Sequence, residues 1–169
     1  MEHYAGLQFR AFEAADVALF TDIMKRAFDE DTRIHLGEER GGPPGYDNGD
    51  FLRQWALHSD STAYAIFKDS VPLGVAIVWI GENHENFLGN IFIDPDFQNQ
   101  GLGLLIWQFI EQKYPETRVW RTETAGFSKR NHNFYVNKCG FKIVKIDHPG
   151  DKYEESYIME KGSSAKLTL

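Results

Sequence analysis

The stretch Phe92-Ile93-Asp94-Pro95-Asp96-Phe97-Gln98-Asn99-Gln100-Gly101-Leu102-Gly103 passes from an apolar, strand-like segment through a proline stop into helical spacing. Beyond it, Leu102, Leu105, Ile106, Phe109 and Ile110 form one apolar helical stripe, which ends before Pro115. A helix entered from a strand in this way offers first-turn amides that lack an intrahelical acceptor and sit at the positive end of the macrodipole. Gln98, Asn99, Gln100, Gly101, Leu102 and Gly103 are therefore a candidate cradle for a pyrophosphate, and a Cβ at Gly101 or Gly103 would hold the phosphates away. A dinucleotide fingerprint does not fit, because no third glycine follows at the required spacing and the turn lies mid-chain. A P-loop lysine is absent as well.

Working outward from this turn, residues 87–94 read as the strand that feeds it. Upstream, residues 62–68 alternate, Asp69 and Ser70 turn, and residues 71–80 are almost continuously apolar, so a hairpin leads into the centre of a sheet. Residues 7–12 read as a first strand. Val17, Phe20, Met24, Ala27 and Phe28 mark one face of a helix over residues 15–28, and residues 51–57 resume helical spacing behind Asp50. Downstream come a strand over 118–124, a short helix over 129–138 closed by Gly140, and two strands over 141–146 and 153–159. The expected fold class is α/β with a mixed sheet flanked by helices, in the order β-α-α-β-β-β-α-β-α-β-β. At 169 residues the chain suits one domain, expected over residues 1–161, with a flexible tail over 162–169.

Composition limits the function. Eighteen Lys and Arg against twenty-five Asp and Glu give a net charge of −7, which disfavours a general nucleic-acid or anionic-membrane partner. The longest apolar run, residues 74–80, is far short of the ~20 residues that span a bilayer. A single cysteine, Cys139, permits no internal disulfide, and the opening residues lack the pattern of a secretory signal, so a cytoplasmic location is expected. The six histidines show no metal-ligand spacing, His84 beside Glu85 included, and no metal is expected. Cys139, one residue before a helix-ending glycine, reads as a small buried side chain rather than a nucleophile.

The run Gln98-Asn99-Gln100-Gly101-Leu102-Gly103 after a strand, followed by Ser128-Lys129-Arg130-Asn131-His132-Asn133-Phe134-Tyr135-Val136-Asn137-Lys138-Cys139-Gly140-Phe141, resembles the GNAT N-acetyltransferase superfamily. The first half matches that family's Gln/Arg-x-x-Gly-x-Gly/Ala acyl-CoA loop, and the second its Asn-x-x-Ala-x-x-Phe-Tyr-x-x-x-Gly-Phe segment. Three departures stand out. Ser128 replaces a frequent Asn, Asn131 replaces a frequent Ala, and one extra residue separates Tyr135 from Gly140.

The resemblance implies acetyl transfer from acetyl-CoA to a primary amine in a ternary complex. It implies a splay between the fourth and fifth expected strands, where a backbone amide around Ile91, Phe92 and Ile93 polarises the thioester carbonyl, and it makes Ser128 and Asn131 candidate pantetheine contacts. By the same resemblance Tyr135 is the candidate acid for the departing thiolate, against a plain packing role beside Phe134. Glu123 and Glu85 are alternative proton acceptors, each at a strand position where a solvated glutamate is also ordinary. Lys129, Arg130 and Lys138 either touch CoA phosphates or stay solvated.

Residues 29–50 carry Asp29, Glu30, Asp31, Glu38, Glu39, Asp47 and Asp50 against Arg33 and Arg40, together with a Gly-Gly-Pro-Pro-Gly run ending at Tyr46. Either this is a solvated loop, or its field attracts a small cationic amine. Rival readings are a protein N-terminus or lysine as the acceptor, and an acyl-CoA-binding sensor without turnover. The oligomeric state stays open, with a homodimer compatible.

Overall fold

The computed structural model describes residues 1–162; the expected tail beyond Gly162 lies outside the described residues. Eight strands form one sheet: β1 (Glu2–Tyr4), β2 (Leu7–Ala11), β3 (Ser61–Lys68), β4 (Val71–Ile80), β5 (Glu85–Ile93), β6 (Val119–Ala125), β7 (Lys142–Asp147) and β8 (Ser156–Gly162). Their spatial order is β1-β2-β3-β4-β5-β6-β8-β7. Every pairing is antiparallel except β5 with β6. Helices α1 (Val17–Leu36), α2 (Leu102–Lys113) and α3 (Lys129–His132) complete the fold. Two π-turns, Leu52–Ala56 and Asn133–Lys138, add to them, the second continuing α3.

Strand alternation sends side chains to opposite faces, so the sheet has two cores. Leu88, Trp120 and Met159 pack with Ile106, Trp107 and Phe109 of α2 on one side. Val75, Ile77 and Phe92 pack with Phe20, Ile23 and Met24 of α1 on the other. The stripe read on α2 is largely the buried one, with Trp107 buried beside it.

Four expectations need correction. A short strand, β1, precedes the first expected one, joined to β2 by Ala5 and Gly6, both at positive φ; three residues are too few to show alternation. The expected second helix, over 51–57, is present but wound as a π-turn over Leu52–Ala56. The expected loop over 29–50 begins as helix, because α1 continues to Leu36 and stops at Gly37 in the left-handed conformation. That extension carries polar residues inward. Asp29 accepts from Tyr46 Oη at 2.5 Å, Lys25 Nζ at 3.0 Å and the Gly41 amide at 3.1 Å, and Thr32 donates to the Gly41 carbonyl at 2.9 Å. Lastly, Gly162 is strand, paired with Val119, rather than the first tail residue.

One ion pair fixes α1 to the end of β5. Arg26 grips Asp94 through two bonds of 2.8 Å, and the same carboxylate accepts from the Asp96 amide at 2.9 Å, shaping the turn that leads to α2. The Arg26 hydrogen bond holds the Asp94 carboxyl below its ordinary value of 3.8. Removing one partner of a buried pair costs ~3–5 kcal/mol, and the partly exposed guanidinium lowers the expectation for Arg26→Ala to roughly 1–3 kcal/mol. A depressed carboxylate stabilises the fold above its unfolded value and ceases to do so as pH falls through the folded one. The gap between wild type and variant in denaturant unfolding should therefore be full at neutral pH and shrink below about pH 4. An equal gap at pH 7 and pH 3 would assign the loss to packing.

Candidate active site

The central feature is where β5 and β6 part. Their parallel register covers only four residues, ending at Leu88 opposite Thr122, and the Thr122 hydroxyl donates to the Leu88 carbonyl at 2.9 Å. Just past this point β5 bulges. Val78 faces Leu88 but Ile77 faces Asn90, which leaves Gly89 as the extra residue. A Cβ on Gly89 would lie 2.8 Å from Trp79 Nε1, so the bulge needs glycine. From there Ile91, Phe92 and Ile93 stay paired to β4 but have no partner on β6. The splay expected in the sequence is present, with its bulge two residues earlier than Ile91.

A cleft of ≈ 280 Å³ opens from this vertex toward α2, lined by Ile91, Phe92 and Ile93, by Gln98, Asn99, Gly101 and Gly103, and by Asn131 and Tyr135. Asn99 and Gly101 both take left-handed φ, 63° and 73°, so the chain curls under the start of α2. Gly101 is the N-cap without a side-chain cap, which leaves the first amides of α2, whose residues line the cleft, without a side-chain capping acceptor. Gly103 is tight, since a Cβ there would come within 3.1 Å of the Phe134 ring. The Gln100 side chain accepts from Lys68 Nζ at 3.3 Å, outside the cleft lining. Arg130 and Lys138 line the cleft and Lys129 does not. Arg130 donates to Gln98 Oε1 at 2.8 Å and approaches Glu30 and Asp31 at 3.3 and 3.5 Å.

Asn131 donates to Thr124 Oγ1 at 3.2 Å beside the cleft. Ser128 is buried behind it, and its hydroxyl has no hydrogen-bond partner among the described residues. Ala27, Phe28 and Asp31 of α1 form the far wall. Ala27 and Phe28 read as core, being on the apolar face of the helix, while Asp31 belongs to the acidic stretch singled out in the sequence.

Tyr135 is buried and lines the cleft. Burial raises its phenol above the ordinary 10.0, Cys139 adds to this, and contact with Thr122 works the other way. The extra residue before Gly140 is absorbed by the π-turn, visible in the bond from the Cys139 amide to the Phe134 carbonyl five residues back at 2.9 Å. Tyr135 thereby keeps its place on the cleft wall. Burial also pushes the Cys139 thiol up to about 12, which keeps it protonated at neutral pH.

The two candidate carboxylates differ. Glu123 lies one residue beyond Thr122 and is exposed on the opposite face of β6, with Ser156 Oγ donating to it at 2.6 Å. Glu85 lies three residues before Leu88, ~10 Å along the strand, and is shared by Arg118 and Arg121 at 3.4 Å each.

Over the bulge, on the α1 face of the sheet, a second pocket of ≈ 360 Å³ is lined by Phe51, Trp55, Ile77, Trp79, Phe87, Gly89 and Asn90. It was not anticipated, because its residues are scattered over forty positions of sequence. The acidic segment is mostly engaged within the molecule. Beyond Asp29, Glu30 and Asp31, Glu38 binds Lys152 Nζ and Tyr153 Oη at 2.9 Å each, and Asp50 binds Arg53 at 3.2 Å.

A strand pair that opens beside a helix N-terminus, with the β6-facing edge of β5 left open, can pair with an extended ligand and hold an anion at its end. The model of the Acetyltransferase (GNAT) family matches residues 21–141, and the chain belongs to that family of acyltransferases. It is 36% identical over 133 residues to the uncharacterized protein YrkN of Bacillus subtilis, covering 78% of this chain and 71% of that one. Among solved structures, an acetyltransferase from Thermus thermophilus superposes with a TM-score of 0.74 at 18% identity, covering 95% of this chain and 99% of the other. The PaiA N-acetyltransferase of Thermoplasma acidophilum, solved in complex with coenzyme A, does so at 0.70 and 16%, covering 92% and 98%.

Proposed function

We propose that the protein transfers the acetyl group of acetyl-CoA to a primary amine by direct attack. The carrying observation is the vertex itself: Ile91, Phe92 and Ile93 pair with β4 alone, so the β6-facing edge of β5 is open here and runs on toward the α2 N-terminus, with Tyr135 on the same cleft wall. The pyrophosphate is held by the amides at Gly101, Leu102 and Gly103 and by Arg130, the pantetheine pairs along β5 beside Asn131, and a β5 amide carries the developing oxyanion. The amine nitrogen bonds to the carbonyl carbon as the C–S bond breaks. The thiolate takes the Tyr135 proton, and the amine loses one proton to a carboxylate through water.

Glu123 suits that last step better than Glu85, because it is next to the vertex and bound by Ser156, whereas Glu85 is paired with Arg118 and Arg121. Glu123→Gln is expected to lower kcat/KM and to abolish the acidic limb of its pH profile, since the group that must be ionised in the free enzyme is gone. A surviving limb would move the role elsewhere. The reading as a whole is tested by free-thiol release from acetyl-CoA across a panel of primary amines and peptides. Release with amines supports it; tight acetyl-CoA binding with no release from any acceptor would make the protein a sensor.

A further inference from the structure

Resting on that reading, we propose that the acceptor is a small primary amine carrying an aryl group, seated in the pocket over the Gly89 bulge. The wall formed by Phe51, Trp55, Trp79 and Phe87 is aromatic, and no carboxylate lines it. Trp55 and Trp79 meet edge to face at 6.1 Å, and His58 packs against both, at 6.3 and 5.0 Å, so the rings are mutually braced. Trp55 and Phe87 nevertheless remain 36% exposed, an open aromatic surface of the kind that takes a flat apolar group.

Its location supplies the link to chemistry. Gly89 and Asn90 belong to this pocket while Ile91 belongs to the CoA cleft, so the two cavities share consecutive residues of β5. One or two residues of strand span ~3–7 Å, the reach of a two- or three-carbon linker between an amine at the vertex and a ring in the pocket. A polyamine would instead need carboxylates for its distal charges. The acidic residues after α1 do not line this pocket, and most of them are bound to Lys152, Arg130, Arg53 or Tyr46.

The test compares 2-phenylethylamine and tryptamine with butylamine and spermidine by thiol release, and follows binding of the aryl amines through tryptophan fluorescence. Aryl amines should exceed butylamine in kcat/KM by roughly thirtyfold or more, the value of burying one ring. Trp55→Ala should raise KM for 2-phenylethylamine roughly tenfold to a hundredfold, with acetyl-CoA affinity retained by calorimetry and recovery in Trp55→Phe. Because Trp55 is on the surface, native dichroism is expected in both variants. Turnover that favours spermidine or butylamine overturns the inference and leaves acetyl transfer standing. Aryl-amine binding without thiol release supports the pocket and fails the reaction. Preference for a peptide with an N-terminal phenylalanine over the free amines overturns the small-molecule acceptor.

Discussion

Gly101→Val is expected to remove acetyl-CoA binding from calorimetry while leaving the far-ultraviolet dichroism native. At φ 73° a β-branched residue is strained in the left-handed region by ~1–2 kcal/mol, which a domain of this size tolerates. Apart from its chain neighbours, no atom of the described residues lies within 4 Å of the added Cβ, so its methyls leave the core undisturbed at a position that lines the cleft. On the proposed reading they crowd the phosphates that the first amides of α2 bind. Losing two charge-assisted bonds of ~1.5–3 kcal/mol each corresponds to about 10²–10⁴ in affinity. Gly6→Val is the matched control, with φ 85°, equally open space and a place in the β1–β2 turn away from the cleft. It should carry the same strain and keep acetyl-CoA affinity. Wild-type affinity in Gly101→Val would remove the cradle from the account.

The acyl-CoA half of the site is legible in the sequence because it is local. A strand stop, two glycines and a helical stripe within about twenty residues determine the turn, and Gln98, Asn99, Gly101 and Gly103 of that stretch line the cleft. The acceptor half is not local. Phe51 and Trp55 reach the sheet only through the turn of the segment after α1, and Trp79 meets Phe87 only through the β4–β5 register. The bulge that aligns them is a one-residue slip inside a run that reads as one uninterrupted strand. Charge misleads for the same reason. The acids of residues 29–50 add up in the composition, but their partners Arg130 and Lys152 lie about a hundred residues away. Local spacing also marked the extra residue before Gly140, and the i−5 bond of the π-turn is its physical form.

Tyr135→Phe separates acid catalysis from packing, because it deletes one hydroxyl and leaves the ring between Phe134 and Phe141, whose centroids lie 5.1 and 5.8 Å away. A general acid contributes about 10²–10⁴ to the rate, so kcat should fall by that factor while acetyl-CoA affinity changes little. Burial, the largest cause, raises the phenol above its ordinary 10.0. A raised value keeps the proton-bearing, active form present at higher pH. The wild-type profile should consequently show no alkaline limb from this group up to about pH 10, where an unburied tyrosine acid would already be half lost. Proton transfer becomes favourable only as thiolate charge develops beside the phenol in the same water-poor wall, which ties the donor to the transition state rather than to the bound substrate. A loss below about threefold in kcat would leave Tyr135 as a packing residue and hand protonation of the thiolate to solvent.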